Sequence, residues 1–121
     1  MSRPIFIVLI LLIAAAAAAL RLPDLAERPM HGDEAVNAVK LGETIEGRGY
    51  EYDPHEYHGP TLNYLTLIPA WLGGAGSFVE LREPMLRVVP VVFGTLIILF
   101  LLPIGDGLGR VAAVFAALFM A

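Results

Sequence analysis

The chain has no cysteine, one tryptophan and few charges. Without cysteine, disulfide scaffolds, cysteine-ligated zinc and thiol nucleophiles are excluded. Asp, Glu, Lys and Arg make up only 17% of the 121 residues, against about a quarter in ordinary soluble domains. The hydrophobic share is 57% and the mean hydropathy is +0.70. Those values argue against disorder and against a cytosolic globule, and for a membrane protein. The formal net charge is −4, which leaves no basic patch, so nucleic acid is not an expected partner.

The few charges are segregated. Residues 4–20 carry none, and residues 21–56 then hold nine of the twelve acids: Asp24, Glu27, Asp33, Glu34, Glu43, Glu46, Glu51, Asp53 and Glu56. Residues 57–79 lack Asp, Glu, Lys and Arg again, and 88–105 are charge-free after a cluster of Glu80, Arg82, Glu83 and Arg87. A membrane helix needs about 17–25 mainly apolar residues. Segments 4–22 and 84–104 meet this. The segment 61–79 meets it only if the helix continues through Gly73-Gly74-Ala75-Gly76 to Val79. The run 110–121 reads as the start of a fourth helix, cut short, because an apolar stub ending in lipid leaves carbonyls unpaired. The expected fold class is all-α: a polytopic integral membrane protein with a long polar loop, 23–60.

Arg3 favours a cytoplasmic N-terminus in the cell membrane by the positive-inside rule, which places the 23–60 loop outside. A cytoplasmic loop is the competing placement. A cleaved signal peptide competes with a retained anchor for the first segment, although its 17-residue apolar run exceeds the usual ~7–15-residue core.

A connection of this length is usually functional or disordered, and its turn and helix signals are ordered. Gly32-Asp33 precedes a helical stretch, 33–46, with Ala35, Ala38, Val39, Gly42 and Ile45 on one face. Gly47-Arg48-Gly49 supplies its stop. The stretch reads as an amphipathic helix on the membrane surface or as a plain loop helix. Asp33 stands at the N-cap or in the first turn, where the helix dipole keeps a carboxylate ionised. Such a group can act as a general base on a hydroxyl, or it simply caps, with Glu34 completing the turn. Downstream, Glu56 and His58 are of types that hold zinc or manganese, and His58 could also donate to a phosphate. Arg28 and Lys40 are further phosphate-binding candidates. Ordinary polar surface is the plainer account of these four. Tyr50 and Tyr52 fit an interfacial aromatic belt.

The order of motifs resembles a known family. Met30-His31-Gly32-Asp33-Glu34-Ala35 opens the loop. A helix ends in Gly47-Arg48-Gly49-Tyr50, and Tyr57-His58-Gly59-Pro60-Thr61-Leu62-Asn63-Tyr64 leads into the next apolar segment. Leu86-Arg87-Val88-Val89-Pro90 and a Gly-x-Gly-Arg turn at 107–110 follow. This is similar to the N-terminal region of GT-C membrane glycosyltransferases, in particular dolichyl-phosphate-mannose-dependent protein mannosyltransferases, aminoarabinose transferases and flippase-activity-associated membrane proteins.

The resemblance implies an enzyme that moves a mannose-like sugar from a polyprenyl-phosphate carrier in the lipid to an acceptor glycan, lipid or protein on the external face. It implies that Asp33 lies at the catalytic centre, with Glu34 as its neighbour. In aminoarabinose transferases a Glu-Lys-Pro sequence helps hold a metal near the lipid phosphate. Here the region reads His58-Gly59-Pro60, so a divalent metal cofactor is a possibility rather than an implication. A second acidic motif is expected beyond residue 121, so residues 1–121 alone would not make a complete active site. The competing functions are a non-catalytic transporter or lipid-flippase-associated subunit, and a small structural membrane protein.

Overall fold

The computed structural model describes residues 1–55 and 59–121. Six α-helices follow one another among them: α1 (Arg3–Arg21), α2 (Gly32–Ile45), α3 (Pro60–Leu72), α4 (Glu83–Leu99), α5 (Leu101–Leu108) and α6 (Arg110–Met120). A short 3-10 turn, Phe78–Glu80, precedes α4. There is no strand among the described residues.

Among the described residues two stretches are long and apolar enough to cross a membrane: Arg3–Arg21 and Glu83–Leu108. At 1.5 Å per residue α1 is about 28 Å long, close to the ~30 Å of hydrocarbon. The second stretch is interrupted at Phe100, between α4 and α5. Pro103 explains the break, because it has no N–H to give the Leu99 carbonyl four residues back. The expected single helix 84–104 is therefore two helices over a longer span, 83–108.

The segment 61–79 is not one helix. α3 ends at Leu72, about 20 Å from its start by the same rise, so it is too short to span alone. The cause is a glycine stop. Gly74 takes a φ of 78°, its N–H donates to the Trp71 carbonyl and the Ala75 N–H donates to the Ala70 carbonyl, both at 3.0 Å. That pair of bonds closes a Schellman motif. Gly47, with a φ of 86°, ends α2 in the same way: its N–H bonds to Thr44 and the Arg48 N–H to Glu43.

The chain forms two compact units, residues 1–23 with 90–121 and residues 24–89. In the first, α1 packs on α5 and α6. Its core is Phe6, Ile10, Ala14 and Ala17 of α1 with Ile98, Leu101, Ala113 and Ala117. Alanines at i, i+3 and i+4 let helix backbones approach closely, as small residues do between membrane helices. Gly105 lies beneath the Phe6 ring, leaving no room for a Cβ. Gly94 lies beside the Arg21 guanidinium. The other faces stay apolar and exposed, with Val8, Leu11 and Leu12 on α1, Phe93, Leu96 and Ile97 on α4, and Phe115 and Phe119 on α6.

In the second unit α2 packs on α3 and the 3-10 turn. Ala38, Leu41, Ala70 and Leu86 form its centre, flanked by Met30, Ile45 and Leu67. Gly42 admits the Phe78 ring. The apolar face of α2 is thus covered within the unit, and it is rotated from the expected stripe: Leu41 is buried, whereas Ala35 and Val39 are exposed. The helix turns its Leu41 side inward because α3 and Phe78 lie there, which leaves Val39 on the far side. A polar bridge ties α2 to α3: the Thr44 hydroxyl lies 2.9 Å from the Lys40 carbonyl and 3.0 Å from Asn63 Oδ1.

Candidate functional site

The Asp33-Glu34 pair sits in the first turn of α2. The N-cap is His31 rather than Asp33. The Asp33 N–H donates to His31 Nδ1 at 3.5 Å, and the His31 N–H donates to Glu34 Oε2 at 3.2 Å. This reciprocal arrangement is a capping box with histidine in the place usually taken by Ser or Thr. Because His31 takes the cap and Gly32 the first helical position, Asp33 is the second residue of the helix and its carboxylate is released from capping.

The two neighbouring carboxylates then have different surroundings. Glu34 turns toward α4, where Arg87 grips it in a two-point fork: Nε to Oε1 at 2.5 Å and Nη2 to Oε2 at 2.9 Å. The Glu34 side chain is 29% exposed and that of Arg87 15%. Bidentate pairing of this type fixes geometry as well as supplying energy. Arg87 does more than hold Glu34. Its Nη1 donates to the Leu25 carbonyl, and its Nη2 donates to the carbonyls of Arg28 at 2.9 Å and Pro29 at 3.4 Å. One guanidinium therefore fastens α2's first turn and the segment leading into it to the start of α4. Hydrogen bonding from Arg87, above all, holds the Glu34 carboxyl below the ordinary carboxylate range. Partial burial opposes this, and the His31 N–H and the Arg87 charge add to it.

Asp33 is left open. Its side chain is 79% exposed, and the nearest opposite group is His31 Nδ1 at 4.0 Å. Among the described residues the Asp33 carboxylate accepts no hydrogen bond. It faces solvent at the amino end of a 14-residue helix, where the dipole favours its charge.

The remaining sequence candidates separate. Arg28 takes part through its backbone carbonyl, and its side chain is exposed. Lys40 lies two turns beyond Asp33 on the same side of α2. Its Nζ donates to the Glu51 carbonyl at 3.4 Å and lies 5.9 Å from the Tyr50 ring centre. The Tyr50 ring in turn meets Tyr64 at 6.2 Å. A groove of about 400 Å³ runs along α2 past Val36, Val39, Lys40, Glu43 and Asp53. Glu56 and His58, the expected metal ligands, lie outside the described residues. No group of three or more His, Asp or Glu able to hold a metal occurs among the described ones.

Sequence reasoning missed two participants. Arg87 stands in the sequence only as a member of a short charged cluster and of a motif, although a lone arginine between Leu86 and Val88-Val89 in an apolar helix needs a partner. His31 was overlooked as a cap because histidine is not a preferred N-cap type; the Glu three residues on was the available clue. The chain matches no family model, no curated protein and no solved structure.

Proposed function

We propose that the protein is a membrane glycosyltransferase that moves a mannose-like sugar from a polyprenyl-phosphate carrier to an acceptor hydroxyl, with Asp33 as the general base. The observation that carries this reading is the division of labour between adjacent carboxylates. Glu34 is consumed by Arg87, whereas Asp33 is exposed and free to accept a proton. A base must reach the hydroxyl it activates, and Asp33 is the member of the pair that can.

In the proposed step the acceptor oxygen attacks the anomeric carbon as its proton passes to Asp33. The bond to the carrier phosphate breaks, and the polyprenyl phosphate leaves with the electron pair. Arg28 and Lys40 are the residues we assign to the leaving phosphate in this scheme. The membrane setting is supported by α1 and the 83–108 stretch, of which only 22% and 17% are buried within the chain. A soluble protein would cover such helices. The reading takes the loop to be on the non-cytoplasmic side, as Arg3 and the positive-inside rule favour, where carrier-linked sugars are presented.

The test is transfer of radiolabelled mannose from polyprenyl-phosphate-mannose in membranes that contain the protein. Asp33→Asn should lower the rate by about 10²-fold or more, the usual range for a lost general base, with protein abundance unchanged. Wild-type turnover by Asp33→Asn, or no transfer by the wild type from any polyprenyl-phosphate sugar, would overturn the proposal.

A further inference from the structure

At the end of the first unit where α1 and α6 begin, α1, α5 and α6 converge. Arg110 joins them: its Nη1 donates to the Met1 carbonyl at 3.1 Å and its Nε pairs with Asp106 Oδ1 at 2.6 Å. A cleft of about 330 Å³ opens beside this junction. Its floor is Phe6, Ile7, Leu102 and Pro103, and its rim carries Arg3 and Asp106.

The rim is charged unevenly. Arg110 neutralises Asp106 at close range. Arg3 is exposed, feels the Asp106 charge from a distance, and makes no hydrogen bond or ion pair of its own among the described residues. Two arginines against one aspartate leave one positive charge. The amino ends of α1 and α6 both lie here, and neither Ser2 nor Gly109 makes a side-chain cap. Free N–H groups and positive dipole ends add to the field, partly offset by the carboxyl end of α5.

We infer that this cleft binds an anionic phospholipid, with its phosphodiester on Arg3 and one acyl chain against the apolar floor. A free phosphate would use the arginine and waste the floor; a neutral apolar ligand would do the reverse. A lipid uses both, and Arg3 stands at the first residue of a helix of bilayer length, which is headgroup depth. The inference rests on α1 and the 83–108 stretch being membrane spans, and is independent of sugar transfer.

The experiment titrates the purified protein in detergent with phosphatidylglycerol or phosphatidylcholine of identical chains and follows its thermal unfolding. Phosphatidylglycerol should stabilise at about fivefold lower concentration, the worth of one arginine at a membrane surface. Arg3→Gln should abolish that preference, and Arg48→Gln, on the other unit, should keep it. Inorganic phosphate should not substitute. Equal action of the two lipids on the wild type, a preference that survives in Arg3→Gln, or full stabilisation by inorganic phosphate alone would overturn the site. Protein recovered from cells in the aqueous fraction without detergent would instead overturn the membrane reading, so the two failures are distinguishable.

Discussion

The two units of this chain solve the same packing problem with opposite chemistry. In the first, helices meet along alanines: Ala14 and Ala17 of α1, and Ala113 and Ala117 of α6. Their outward faces are apolar and exposed. In the second, a small apolar centre of Ala38, Leu41, Ala70 and Leu86 is supplemented by polar ties. Arg87 binds five acceptor atoms on Glu34, Leu25, Arg28 and Pro29. Glu46 accepts the Phe78 N–H at 3.0 Å and pairs with Arg48. In the first unit the fit of small residues sets which faces meet, and polar ties from Arg21 and Arg110 are confined to the helix ends. In the second unit directional bonds hold the first turn of α2 through Glu34 and leave the neighbouring Asp33 carboxylate exposed.

This contrast can be broken from either side. The largest effect is expected from Arg87→Met, which keeps the bulk and removes every donor. Amide exchange over residues 31–38 should quicken by about a hundredfold, since these amides then open locally, with little change in α1 or α6. Uniform quickening across the chain would mean that the clamp is no local device. Next comes Ala117→Leu, which inserts a branched side chain into the close seam of the first unit. Overpacking of this type costs about 1–3 kcal/mol, visible in the thermal unfolding midpoint, while exchange in α2 should be unaffected.

The smallest effect is that of acid. The Glu34 carboxyl is depressed by its partner, so its contribution to stability is fully present above the ordinary carboxylate value of 4.5. It is lost as pH falls through the lowered folded value. Unfolding midpoints measured from about pH 6 down to about pH 3 should therefore fall more steeply for the wild type than for Glu34→Gln. Parallel curves would show that the pairing adds no pH-dependent stability.

Much of this architecture was legible from residue order. The apolar runs place α1 and α4, and Gly47-Arg48-Gly49 places the end of α2, because these depend on local composition and on backbone conformations that few residues adopt. The glycines at 73–76 also marked a boundary, yet hydropathy alone carried the expected helix past them. What residue order could not give depends on partners distant in the chain. Leu41 faces inward because α3 and Phe78 lie there, and the local pattern favoured Val39 equally well. Glu34 and Asp33 are chemically alike and adjacent; the capping box with His31 sets Glu34 apart locally, but the fork that engages it comes from Arg87, 53 positions further on. The resemblance to GT-C enzymes pointed to Asp33 without giving a physical reason for it over its neighbour.

The central claim is that Arg87 engages Glu34 and leaves Asp33 free. A pair of double-mutant cycles read by thermal unfolding tests it most directly. Combining Glu34→Gln with Arg87→Met should cost little more than Arg87→Met alone, because both changes break one interaction. Asp33→Asn combined with Arg87→Met should give the sum of the single effects. Additivity in the first cycle, or strong coupling in the second, would contradict the account.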